Sequence, residues 1–127
     1  MIVIDTSAIM AILLNEPKSG ACIDAIERED EIVISSGTLA ETLIVARRRN
    51  VGPEAERLLD GLGLEVMPVT SSGARHVAES YAVWGKGIHS AGLNFGDCFA
   101  YSLAKKHGCP LLYVGDDFAR TDIASVL

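Results

Sequence analysis

Residues 1–13, MIVIDTSAIMAIL, decide how the rest of the chain is read. Ile2 to Ile4 form a short apolar run without alternation, the pattern of a strand buried on both faces of a parallel sheet. Asp5 follows at once, and Thr6 and Ser7 can cap the helix that Ala8 to Leu13 continue. Strand, acid and helix in thirteen residues place a carboxylate at the carboxyl edge of the first strand, where open parallel sheets bind ligands. The same chemistry would arise if Asp5 were only a helix cap, so its meaning depends on what the other acids do.

Short β-branched runs alternate with helical stretches along the whole chain, which is an α/β signature. Ile32 to Ile34 and Leu111 to Val114 repeat the buried-strand pattern. Leu64 to Val69 reads as a strand at an edge or near its end, because Glu65 and Pro68 interrupt it. Ile123 to Leu127 is a candidate fifth strand. Helices are expected after Thr6 or Ser7, from Ser19 to Arg28, from Thr38 to Arg49, from Pro53 as a first-turn residue, and from Ser72. In the last of these Ala74, Val77, Ala78, Tyr81 and Trp84 form a stripe that predicts a core face, with Trp84 structural. Gly85, Gly87, Gly92 and Gly96 punctuate the loop that leads to the helix carrying Asp97.

The 127 residues suit one domain, residues 1–127, and 49% of them are hydrophobic, enough for a proper core. No long apolar run or basic leader is present, so a membrane span or signal peptide is not expected and a cytoplasmic location is. Cys22, Cys98 and Cys109 show no zinc-type spacing and read as reduced thiols. The net charge of −6 argues against broad affinity for nucleic acid. It leaves room for a local basic rim, for which Arg47 to Arg49 and Lys105 to His107 are candidates.

Three acids stand alone among apolar and neutral neighbours. Asp5 is the only formal charge between Met1 and Asn15, Glu41 between Ile32 and Ala46, and Asp97 between Ile88 and Ala104. Phe95, Phe99, Tyr101 and Leu103 around Asp97 predict a buried helix, in which an unpaired carboxylate is costly. Asp116 and Asp117 in LLYVGDD repeat the strand-end arrangement of Asp5. Helix-opening acids often serve only the helix dipole. Four carboxylates converging without a nearby Lys or Arg, however, call for a divalent cation, and oxygen-only ligands select Mg2+ or Mn2+ over zinc. Such a cluster suits phosphodiester hydrolysis.

These residues resemble the PIN-domain ribonucleases, and within them the VapC toxins of VapBC toxin/antitoxin pairs. MIVIDTSAIMAIL is similar to the family's opening strand and first acid, SSGTLAETLIV to its glutamate-bearing helix, LNFGDCFAYSLAKK to its third acid, and LLYVGDDFARTDI to its terminal segment. The resemblance implies a three-layer α/β/α sandwich with a mainly parallel central sheet of four to five strands. It implies a metal-dependent endoribonuclease whose Asp5, Glu41 and Asp97 are metal-site acids for Mg2+ or Mn2+. Asp116 and Asp117 both fit the fourth acid, with Asp116, nearer the strand end, favoured. Asp122 is a candidate outer-shell carboxylate, and Thr6 or Ser7 a partner for a ligating acid or a bound water.

An RNA substrate, a homodimer and a VapB-type antitoxin lying over the active-site groove follow from the same resemblance. Lys86, His89 and Arg47 are candidate RNA contacts, although Ile88 stands where the family's G-x-G-R-H loop has a basic residue. The competing classes are a PIN-fold binding protein without catalysis and a different metal-dependent phosphohydrolase. A HAD-type phosphatase needs a second Asp two residues after Asp5, where Ser7 stands. A receiver module needs a Lys after a late strand, which LLYVGDD does not supply.

Overall fold

A computed structural model describes residues 1–127. Its elements follow in the order β1 (Ile2–Ile4), α1 (Thr6–Leu13), α2 (Ser19–Glu27), β2 (Ile32–Ser35), α3 (Ser36–Arg48), α4 (Gly52–Gly61), β3 (Glu65–Met67), α5 (Ser71–Trp84), α6 (Phe95–His107) and β4 (Leu111–Leu112). A single 3-10 turn, Phe118–Arg120, follows β4. The four strands form one sheet in the order β3-β2-β1-β4, and every pairing is parallel. Val3 pairs with both Val33 and Leu111, so the first strand of the chain lies at the centre of the sheet.

Both faces of that centre are covered, which is why β1 and β2 read as unbroken apolar runs. Ile2, Ile4, Ile32, Ile34 and Leu112 pack with Ile9, Cys22 and Ile26 of α1 and α2. Val3, Val33 and Leu111 face the other way, against Val77, Leu93, Ala100 and Tyr101 of α5, α6 and the segment between them. The result is the three-layer α/β/α sandwich expected from the sequence, with four strands. α3 leaves β2 without a linker and packs against α1, α4 and α6, so it bridges the layers where the first and last thirds of the chain meet. No helix is long and apolar enough to cross a membrane, and all three cysteines are free thiols.

Several expectations shift. β3 shrinks from Leu64–Val69 to Glu65–Met67 and lies at the sheet edge with Glu65 and Val66 exposed, because Pro68 has no N–H to continue the ladder. β4 is Leu111–Leu112, two residues short of Val114. The segment Ile123–Leu127 makes a single parallel bridge, Leu111 to Ser125, in place of a fifth strand. α3 and α5 each start earlier than expected, since Ser35 caps Gly37 N–H and Thr70 caps Gly73 N–H.

The core face of α5 is also rotated from the expected stripe. Val77 is buried and Gly73, Ser80 and Trp84 are partly so, whereas Ala74, Ala78 and Tyr81 are exposed. Residues seven apart on a helix nearly coincide in direction, so Val77 and Trp84 set the inward line and the alanines and tyrosine fall on its flank. Trp84 is structural, as expected: its indole N–H donates to the Tyr101 hydroxyl at 2.8 Å.

Candidate active site

The carboxyl ends of β1 and β4, the first turns of α1 and α6, and the middle of α3 converge on one edge of the sheet. Asp5 lies there, almost fully buried at 3% exposure. It caps α1 itself, where Thr6 or Ser7 was expected to: its Oδ2 accepts the Ser7 backbone N–H at 3.0 Å and the Ser7 hydroxyl at 2.6 Å. Ser7 Oγ in turn accepts the Val114 N–H at 3.0 Å, and Asp5 N–H donates to the Leu112 carbonyl at 3.0 Å. One side chain thus ties the start of the chain to the end of β4. Asp5 Oδ1 is buried with no hydrogen-bond partner at all.

The capping role is therefore real and occupies only half of the carboxylate. Leaving a buried carboxylate oxygen unpaired costs free energy that a stable fold has no reason to spend on a cap alone. Burial is the main cause that raises the Asp5 carboxyl to about 7; the Ser7 hydrogen bonds oppose it, and the charges of Asp97 and Glu41 add to it.

Glu41 is held from two sides. Thr6 donates its hydroxyl proton to Glu41 Oε1 at 2.7 Å, and the Thr42 hydroxyl stands 2.9 Å from Thr6 Oγ1. With Thr6 committed to the carboxylate, Thr42 can donate to Thr6, giving a buried relay Thr42 to Thr6 to Glu41. Thr42 alternatively donates to the Thr38 carbonyl at 2.8 Å. Glu41 Oε2 lies against Gly96, where any Cβ would overlap the carboxylate. The glycine lets the first turn of α6 approach Glu41, so its missing side chain is part of the site.

Asp97 occupies the third position of α6 and closes a capping box with Asn94. Asn94 N–H donates to Asp97 Oδ2 at 2.9 Å, and Asp97 N–H donates to Asn94 Oδ1 at 2.8 Å. Burial again dominates in raising its carboxyl, to about 6, opposed by the Asn94 N–H and reinforced by the charges of Glu41 and Asp117. Of the strand-end acids, the charge of Asp117 adds to this rise, and Asp116 and Asp117 are both exposed. Gly115, at φ 111°, turns the chain between β4 and these two acids.

None of the three ion pairs in the molecule involves Asp5, Glu41, Asp97, Asp116 or Asp117. The acids form an open cluster and not a closed cage, for no three Asp, Glu, His or Cys side chains meet as a ready-made metal site. Openness suits a hard cation that keeps several of its waters and takes only one or two carboxylates directly. Oxygen-only donors and a buried, unpartnered Asp5 Oδ1 fit Mg2+ or Mn2+ on chemical grounds.

Asp122 does not belong to this edge. It accepts the Tyr101 hydroxyl, with Lys105 Nζ at 2.9 Å from its other oxygen, which makes it a clamp on α6. Arg47, Lys86 and His89 are exposed and contact none of the acids. His89 Nδ1 accepts the Ala91 N–H at 2.9 Å and its ring stands edge-on to Trp84, a loop-ordering role. Phe95, expected inside, is 71% exposed. Sequence reading assigns Asn94 and Thr42 no role and places Gly96 in the loop, whereas Gly96 lies in the first turn of α6. Asn94 was legible as the first residue of an N-x-x-D box; Gly96 and Thr42 carry no signal without the placement of Glu41.

With this geometry in hand, comparison with known proteins defines the class. The model of the PIN domain matches residues 2–124, and the chain belongs to the PIN-domain family. Its relatives there are VapC proteins: it is 40% identical to ribonuclease VapC30 of Mycobacterium tuberculosis, covering 98% of this chain and 97% of that one. It is 39% identical to ribonuclease VapC of Mycolicibacterium smegmatis, covering 98% of each. Among solved structures, VapC20 of M. tuberculosis, described as a toxin that cleaves the sarcin-ricin loop, superposes with a TM-score of 0.78 at 18% identity over 98% of this chain and 97% of that one. The VapBC2 complex of Rickettsia felis, bound to a DNA fragment from its promoter, gives 0.71 at 19% identity over 98% of this chain and 96% of that one. At such identities these two structures speak for the fold.

Proposed function

We propose that this chain is the toxin of a VapBC-type toxin/antitoxin pair, an endoribonuclease dependent on Mg2+ or Mn2+. The observation that carries the reading is the uncompensated carboxylate cluster, with Asp5 Oδ1 buried and unpartnered. The names of the full-length relatives supply the substrate class. Asp5, Glu41 and Asp97 would hold the metal, and Asp117, whose charge acts on Asp97, would take the fourth position in preference to Asp116.

A bound divalent ion would polarise the scissile phosphate and lower the pKa of a water. The chain's own part is positional. Ser7 fixes one oxygen of Asp5 so that the other is offered to the site; Thr6 does the same for Glu41, and Asn94 for Asp97. Ligands oriented in this way by outer hydrogen bonds are the usual arrangement in metal sites. Water then attacks phosphorus and the bond to the 3′ oxygen breaks, leaving a 5′-phosphate on one fragment and a 3′-hydroxyl on the other.

A VapB-type antitoxin covers this edge, its basic groups pairing with carboxylates that have no cation of their own. The exposed apolar residues of α5, Tyr81 and Val83, leave surface for a homodimer. Incubation of the purified protein with RNA and Mg2+ or Mn2+ tests the catalytic claim: cleavage that a chelator stops, with 3′-hydroxyl ends, is expected. Cleavage that survives chelation, or ends carrying 2′,3′-cyclic phosphate, would exclude it in favour of a histidine-based mechanism.

A further inference from the structure

Beside the acids lies a groove of about 360 Å³ between α3 and the first turn of α6. Glu41, Ile44 and Arg48 line one wall. They are spaced i, i+3 and i+7 on α3, so they follow one face of the helix over about 10 Å. The wall therefore runs from carboxylate to apolar side chain to cation. Phe95 and Phe99 form the opposite wall.

Phe95 is the most exposed large hydrophobic side chain in the molecule at 71%, and Ile44 across from it is 51% exposed. The Phe95 ring has one aromatic neighbour. It stands edge-on to Phe99, with ring centroids 4.9 Å apart at 81°, and Phe99 is seated over Gly37 of α3. The next residue after Phe95 is Gly96, the one whose backbone meets Glu41. A solvent-facing aromatic ring, braced on one side by Phe99, thus sits one residue from the contact that positions a site carboxylate.

We propose that this groove receives the base of a nucleotide adjoining the scissile phosphate, stacked on Phe95 and flanked by Ile44, while Arg48 meets a neighbouring phosphate. The proposal rests on the ribonuclease reading above and makes Phe95 a determinant of substrate binding. The groove offers each part of a nucleotide a partner: the reacting phosphate lies at the acids, the base that branches from the adjoining sugar meets the apolar walls, and the next phosphate of the backbone meets Arg48. Aromatic faces beside a cationic track are how single strands are held without base-specific hydrogen bonds. In a chain with a net charge of −6, a local cation at the end of an apolar groove fits an anionic strand better than an acidic or wholly apolar occupant.

The test separates the base from the backbone. In an Asp97→Asn background, which keeps the strand intact, fluorescence anisotropy measures binding of a short fluorescein-labelled single-stranded RNA of mixed sequence and of a ribose-phosphate chain of equal length without bases. The parent should prefer the RNA by about tenfold. Phe95→Ala should remove that preference and Phe95→Trp should retain it, while Arg48→Gln weakens both ligands. Phe95 is exposed, so thermal melts should show each variant as folded as its parent.

Equal binding of RNA by Phe95→Ala and its parent, or equal loss of both ligands, would overturn the proposal. A change in sedimentation mass, or weaker antitoxin binding, with the RNA preference intact would assign the groove to a second copy or to the antitoxin and equally overturn it. Wild-type protein that binds RNA with this preference yet cuts none in Mg2+ or Mn2+ would refute the ribonuclease reading alone.

Discussion

Helix α6 meets two carboxylates, its own Asp97 in the first turn and Asp122 of the C-terminal segment, and the two are treated in opposite ways. In the first turn Asp97 lies among Glu41, Asp5 and Asp117 with no cation in contact, and burial raises its carboxyl to about 6. Near the last turn Asp122 accepts from Tyr101 and Lys105, hydrogen bonds that hold its carboxyl below the usual range. The Asp122 end is what a fold does with an acid it uses for stability. The Asp97 end shows free energy left unrecovered, and in a marginally stable domain such a region points to a ligand that is not part of the chain.

The largest expected effect breaks the comparison at its costly end. Asp97→Asn should lower RNA cleavage by more than the roughly 10- to 100-fold typical of losing an outer-shell partner. With chelator present it should melt at or above wild type, by up to about 3 to 6 °C, since it keeps the capping-box acceptor and removes a repelling charge. Mg2+ should then raise the melting temperature of wild type more than that of the variant. A variant that melts well below wild type in chelator would make Asp97 an ordinary structural acid.

Next in size is pH. A carboxyl raised in the fold keeps its proton after the unfolded chain has released it, so the Asp5 contribution to metal-free stability is greatest at low pH and declines as pH rises from near 3.8 through about 7. For Asp5 alone the loss between about pH 5 and pH 8 is on the order of 3 kcal/mol. Asp122 acts in the other direction: its lowered carboxyl contributes stability that is present above the unfolded value and lost as pH falls through the folded one. Denaturant melts across this range, with chelator and with excess Mg2+, should show the high-pH loss only in chelator.

Gly96→Ala tests the site through its packing. The new Cβ must displace the Glu41 carboxylate, so about 1 to 3 kcal/mol of stability and most of the cleavage should be lost. Gly20→Ala in α2, where a Cβ meets nothing, should be neutral or up to about 1 kcal/mol stabilising. A small effect also belongs to the clamp: Tyr101→Phe should cost about 1 kcal/mol by denaturant melt and leave cleavage unchanged.

The sheet was legible because burial on both faces makes β1 and β2 continuous apolar runs that little else resembles. Asp5, Glu41 and Asp97 were legible as candidates because each interrupts a neutral stretch, and the fold does bring them to one edge. The ambiguity between Asp116 and Asp117 could not be resolved in sequence, since it depends on the direction the chain takes after Gly115. Phe95 misled for a related reason. Composition marked its segment as core, but the inward place next to it was already filled by Gly96, whose lack of a side chain admits Glu41.

The position of β1 in the sheet has a consequence for when activity can appear. Residues 5, 41, 97 and 117 span most of the chain, and β1 finds its second neighbour only when residues 111–112 arrive beside it. Local helices can form early, but a central strand flanked by partners from both ends of the sequence must wait for long-range closure, the slow part of folding a parallel sheet. A nascent or clipped chain that ends before residue 111 lacks the strand that completes the sheet edge, whatever helices it contains. Under the proposed reading, cleavage should therefore be absent from a chain truncated before residue 111, whose central strand has only one of its two neighbours.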